Sequence, residues 1–220
     1  MYTNLICLAN SWKHGDRCIA GIDMATGKWI RPVTNSRDGS IPRNSTLIDK
    51  NEVSLLDVLE IPLASTGPDF GFASENRLIL PGEWRKIRKI TPLMALRYLS
   101  AAKEILHNSH KLVLITDLQS LPVYQRYTLQ LIRVKEFLVQ SELRKTGKIQ
   151  WKGTLLTVTG QRLENASITD PVFVEKLEAG YRPQGEYLVT VSLSLPYAPP
   201  GWDGDEPCWK LIAGVIELTH

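Results

Sequence analysis

Residues 128–218 place the strictest condition on the fold: a series of alternating apolar and polar stretches, one capped helix, then two more such stretches. Alternation at period two sends every second side chain to the same face of a strand. Residues 128–134, 137–143, 148–151 and 155–159 keep that period between short polar or glycine-containing turns. Asp170-Pro171 then supplies an N-cap and a proline at the first helical position, where its missing N–H costs nothing. Val172, Val174 and Leu177 give this helix apolar contacts, and Gly180 ends it. Residues 187–195 and 209–218 return to the strand pattern across a loop holding Pro196, Pro199, Pro200 and Gly201.

Strands, one helix, then two strands is the order of a five-stranded OB barrel with its helix between the third and fourth strands. The first half follows that order more loosely. Residues 17–23 and 28–33, joined by Met24-Ala-Thr-Gly27, read as a hairpin in which Gly27 takes the positive φ that other residues resist. Residues 34–52 are a polar loop, and residues 53–63 and 77–80 are strands. Thr91-Pro92 opens a helix that the spacing of Leu93, Leu96, Leu99 and Ile105 carries to about His107. The expectation is a mainly β fold with a few helices: two small tandem OB-type barrels, residues 1–110 with inserted loops and a late helix, and residues 111–220 with the helix between strands three and four. A small β-sandwich spaces its strands and turns similarly.

The 220 residues carry a net charge of +3, and all of the excess lies in residues 1–110, with 14 basic against 11 acidic side chains. That is far from a domain whose charge alone announces a nucleic-acid partner. Lys13, Asp16 and Arg17 interrupt the apolar N-terminal run, so neither a signal peptide nor a membrane span is expected there or elsewhere, and the protein is expected in the cytoplasm. Cys7, Cys18 and Cys208 are an odd, sparse set that suits reduced thiols better than disulfides.

The run Cys7-Leu-Ala-Asn-Ser-Trp-Lys-His-Gly-Asp-Arg-Cys-Ile-Ala-Gly-Ile-Asp23, followed by Gly27-Lys-Trp-Ile-Arg-Pro-Val33, resembles a bacterial family of dual OB-containing proteins. The resemblance continues in Leu55-Leu-Asp-Val-Leu-Glu-Ile-Pro-Leu63, in Ile168-Thr-Asp-Pro171, in Val191-Ser-Leu193 and in Trp209-Lys-Leu-Ile-Ala213, so it touches both halves. It implies two OB folds and, by analogy with other OB folds, nucleic-acid binding; it carries over no established activity. Asp16 stands where the family pattern leads one to expect a second glycine after Gly15, and the loop at 199–206 is long and acidic.

Asn10 to Arg17 places an indole, two cations and an imidazole in the turn between two strands, where OB folds grip ligands. On that reading Trp12 stacks on a base while Lys13, His14 and Arg17 meet phosphates. The same residues also read as a solvated turn whose Arg17 pairs with a carboxylate. Trp29 and Arg31 share a strand face; they extend the surface if that face is the concave groove, and are core and an ion pair if it is the interior. Arg85, Lys86, Arg88 and Lys89, beside Trp84, form the densest basic run, suited to tracking a phosphate backbone or simply to solvation.

Trp202 sits among acids and suits an anchor for a protein partner. Cys7, His14, Cys18 and Cys208 lack zinc-ligand spacing, and no Walker, GxSxG or HExxH motif occurs, so no metal, cofactor or catalytic residue is expected. The first functional expectation is a non-enzymatic binder of single-stranded or structured DNA or RNA, as an accessory subunit of a nucleic-acid-processing or defence complex. A protein-interaction scaffold is the alternative, and an enzyme acting on nucleotides or nucleic acid the third.

Overall fold

A computed structural model describes residues 1–13, 15–144 and 147–218. The chain divides into two compact units, Met1–Tyr98 and Leu99–His220.

In the first unit β1 (Tyr2–Lys13) pairs antiparallel with β2 (Asp16–Asp23), which pairs with β3 (Trp29–Val33). The small hairpin β4 (Leu47–Ile48) and β5 (Asn51–Glu52) follows, and then β6 (Asp57–Pro62), which lies antiparallel to the other edge of β1. β7 (Asn76–Leu78) runs parallel to β3, and β8 (Arg85–Lys89) runs antiparallel to β6. A bridge from Leu63 to Ile79 brings the end of β6 against the continuation of β7. β7 and β8 thus act as one fifth strand, interrupted at Pro81-Gly82, where the proline has no N–H to give a ladder.

No helix separates the third and fourth strands of this unit among the described residues. Residues 34–56 hold a 3-10 turn and the β4–β5 hairpin instead, and they send Ile41 and Val53 into the core formed by Leu5, Cys7, Ile19, Ile30 and Leu59. Arg17 N donates to Ile41 O at 2.8 Å, and Ile41 N donates back to Arg17 O at 2.9 Å, so the loop is laced to β2. Gly21 has to be a glycine: a Cβ there would lie 1.9 Å from the Ile6 carbonyl oxygen, beside the β1 bulge between Cys7 and Ala9.

The helix expected to run to about His107 is cut short. Thr91 Oγ1 accepts from Met94 N at 3.4 Å, as a cap should, but α1 is only Pro92–Ala95, followed by a 3-10 turn at Leu96–Tyr98. Leu106 and His107 take positive φ, which no helix tolerates. Side chains of the second unit satisfy this backbone instead: Gln130 Oε1 accepts from Leu106 N at 2.6 Å, and the Lys210 ammonium donates to the carbonyls of Ile105 and Asn108.

The second unit adds β9 (Leu112–Leu114) and α2 (Ile115–Ser120), then a closed five-stranded barrel. Its strands are β10 (Leu129–Leu143), β11 (Ile149–Thr157), β12 (Arg162–Ile168), β13 (Glu186–Pro196) and β14 (Pro207–Leu218), with α3 (Pro171–Glu178) between the third and the fourth. β12 and β14 pair in parallel at Ser167–Leu211 and Ile168–Ile212, closing the ring β12-β11-β10-β13-β14. β9 covers the start of β14.

The four short strands expected in residues 128–159 are two long ones. The polar Lys135-Glu136 pair is a bulge within β10, not a turn. Gly153 lies inside β11, where a Cβ would come within 2.6 Å of both Phe137 Cε2 and Ile212 Cδ1, so the glycine makes room for the barrel core. β12 carries no period-two signal, because Asn165, at φ +52°, shifts its buried set from Leu163 to Ala166 and Ile168.

Candidate nucleic-acid interface

The β1–β2 turn of the first unit brings Trp12, Lys13 and Arg17 together; His14 lies outside the described residues. Trp12 is 39% exposed, and the Arg17 guanidinium carbon stands 4.0 Å from its ring centroid. Arg43, arriving from the 34–56 loop, stands at 5.5 Å. Both guanidinium groups also bond the Glu52 carboxylate of β5, Arg17 to one oxygen and Arg43 to the other. The turn is therefore a cation–π stack with a carboxylate behind it.

The cations of this cluster are not equally available. Arg17 is only 2% exposed and spends its charge on Glu52, so it holds the turn rather than facing a ligand. Lys13 Nζ donates to the Asp38 carbonyl, and its burial lowers the ammonium's pKa. Arg43 keeps more than half of its side chain in solvent. No local signal marks Arg43, because it reaches Trp12 only through the fold of the intervening loop.

On β3, Arg31 is 8% exposed, with Nη1 3.1 Å from a Glu75 carboxylate oxygen and 3.3 Å from Asn76 Oδ1, while Trp29 is half-buried. Arg31 thus forms the ion pair of an interior-facing residue, and its charge is consumed within the fold. All five residues of β8 are exposed. Lys86 pairs with Asp57 at 2.7 Å and Arg85 lies 3.8 Å from Glu60, whereas Arg88 and Lys89 have no ion-pair partner among the described residues. The turn and β8 are separate features of one unit, on opposite sides of the β1–β6 pair in the strand order.

In the second unit Trp202 lies edge-on to Trp209, ring centroids 5.8 Å apart. Its indole N–H donates to the Asp205 carbonyl at 3.0 Å, that of Trp209 to the Tyr197 carbonyl at 2.9 Å, and Thr116 Oγ1 donates to Asp205 Oδ2 at 3.1 Å. This long loop is thus tied down by its own aromatic N–H groups while Tyr197 and part of Trp202 face solvent. None of the three cysteines forms a disulfide, and burial pushes the Cys208 thiol up to about 12. Among the described residues no three His, Cys, Asp or Glu side chains are grouped to hold a metal ion, and no helix is long and apolar enough to cross a membrane.

Neither a comparison with curated proteins nor one with solved structures finds a match. A family model, the dual OB-containing domain, matches residues 3–215 and so spans both units. With a closed barrel in OB strand order in the second unit and a first unit that keeps that order without the helix, the chain belongs to the dual OB-containing domain family.

Proposed function

We propose that this protein is a non-enzymatic binder of single-stranded nucleic acid that grips its ligand at the β1–β2 turn of the first unit. The observation that carries the reading is the exposed Trp12 ring beside the Arg17 and Arg43 guanidinium groups, in the loop through which OB folds commonly bind oligonucleotides. An indole held by a buried cation loses little freedom when a base stacks on it, and base–aromatic stacking contributes about 1–3 kcal/mol per base. Arg43 supplies a solvent-facing charge for the adjoining phosphate, and Arg88 and Lys89 on β8 supply two more on the same unit.

The test is fluorescence anisotropy of labelled single-stranded DNA, single-stranded RNA and duplex against the intact chain and a Trp12→Ala, Arg43→Ala double variant. Lys13 and Arg17 are poor choices, since their removal breaks bonds within the fold, whereas the Arg43 bond to Glu52 lies at the surface. Salt-sensitive binding of a single strand that the double variant loses at least tenfold supports the reading. Equal binding by both proteins, or none at low salt, refutes it.

A second reading, a protein-interaction module, draws on the tied loop of the second unit, where Tyr197 and Trp202 are exposed next to Asp203, Asp205 and Glu206. Aromatic anchors among acids suit a basic protein partner better than phosphate. Co-purification of a stable partner that a Trp202→Ala variant releases is the result that favours it.

A further inference from the structure

The second unit holds a groove that no sequence signal marked. It encloses about 730 Å³ between the β11–β12 turn with the start of β12 on one side and residues 103–111 on the other. Its volume lies within the range of about 300–1,000 Å³ found for pockets that take small ligands. β12 meets β14 only at Ser167 and Ile168, so residues 162–166 leave that side of the strand open toward the groove.

Both walls are fixed before any ligand arrives. Gln161 Nε2 donates to the Ala102 carbonyl at 2.9 Å and also to the Lys103 carbonyl, joining one wall to the other. Lys210, 1% exposed, holds the far end of the segment through Ile105 O, Asn108 O and Asn108 Oδ1. The groove then displays Lys103, His110, Lys111 and Arg162, with the amide of Asn165 beside them. Arg162 is paired with Glu164 at 2.8 Å, and Glu104 also lines the groove, so the available positive charge lies on Lys103 and Lys111. Neither lysine has an ion-pair partner among the described residues, and the Lys111 ammonium stands 5.6 Å from the Trp209 ring centroid, which positions it on the rim.

We propose that this groove is a second binding site for single-stranded nucleic acid, with Lys103 and Lys111 on the phosphates and Gln161 Oε1 and Asn165 Nδ2, the amide atoms not used in holding the walls, on the sugar or base edges. The inference rests on the nucleic-acid reading above and extends it from the first unit to the second. Preformed walls, two unpaired lysines and neighbouring amides are what backbone contact with limited base readout requires.

The test is a salt series of anisotropy titrations of labelled oligothymidylate with the full chain, with a Lys103→Ala, Lys111→Ala variant, and with the Trp12→Ala, Arg43→Ala variant. Each phosphate contact to a single strand contributes about 0.7 to the slope of log K against log salt. The groove variant is expected to lose about 1.4 from that slope and about tenfold in affinity at low salt, with unchanged melting, because both lysines are exposed. If the unaltered chain binds and the groove variant binds as well with the same slope, the groove is overturned while the Trp12 reading stands. If the unaltered chain binds no oligothymidylate at low salt, both are overturned.

Discussion

Replacing Asp170 tests the account of how the second barrel is held together. Asp170 is 2% exposed and makes two separate connections: Oδ1 accepts from Phe173 N at 3.1 Å, capping α3, and Oδ2 accepts from Val215 N at 2.9 Å, in the closing strand β14. Asp170→Ala leaves the buried Phe173 N–H and the half-buried Val215 N–H without that partner, at about 1–3 kcal/mol each. The loss is partly offset, because burial of the carboxylate pushes its pKa up to about 6, against about 3.9 in an unfolded chain. A net loss of about 1–3 kcal/mol remains near pH 7, equivalent to a melting point lower by about 4–10 °C for a unit of this size.

The raised pKa also sets a sign. Between about pH 4 and pH 6 the folded state binds more protons than the unfolded state, so this group's contribution to stability is largest at the acid end and falls as pH rises through 6. Thermal unfolding followed by circular dichroism from pH 4 to pH 7 reads both effects, with Asp170→Asn as the variant that removes the titration. A melting point for Asp170→Ala within about 2 °C of the unaltered chain would refute the two-connection account. A difference between the unaltered chain and Asp170→Asn that stays flat across that pH range would refute the titration.

Lys210→Met leaves two buried carbonyls of the 105–108 segment without their ammonium donor and is expected to cost about 3 kcal/mol, with faster amide exchange confined first to residues 99–110. Gly153→Ala pushes a methyl into Phe137 and Ile212 and is expected to destabilise by about 1–3 kcal/mol in denaturant titration. Arg88→Ala with Lys89→Ala removes two exposed, unpaired charges; the salt slope for a single strand is expected to fall by about 1.4 with no change in unfolding midpoint.

The second barrel was legible because its elements announce themselves locally: Asp170-Pro171 caps a helix in any context, and β13 and β14 keep their hydrophobic runs. What stayed hidden was set by contacts far apart in sequence. A glycine in β11 reads as a turn until Phe137 and Ile212 are seen to need its space. Leu99 and Ile105 read as a helix face until Gln130 and Lys210 are seen to take its backbone bonds. At the candidate site the turn was legible as a cluster, but not which of its cations are spent: Glu52, which takes Arg17, comes from a two-residue strand with no signature. Lys103 and Lys111 gave no signal at all: Lys103 falls within a helical pattern that the fold does not use, and Lys111 is an isolated charge beyond it.

β8 lies at the end of its sheet and, among the described residues, pairs only with β6. An open strand edge is a template on which another copy of the chain can add a strand, and like charges along it make two such edges repel. On the proposed reading Arg88 and Lys89 meet a polyanion, and the same two charges oppose edge-to-edge pairing of β8 with a second copy. Any anion that neutralises them also removes that guard, so concentration-dependent association in the presence of short polyanions is the expected cost of carrying the charge there.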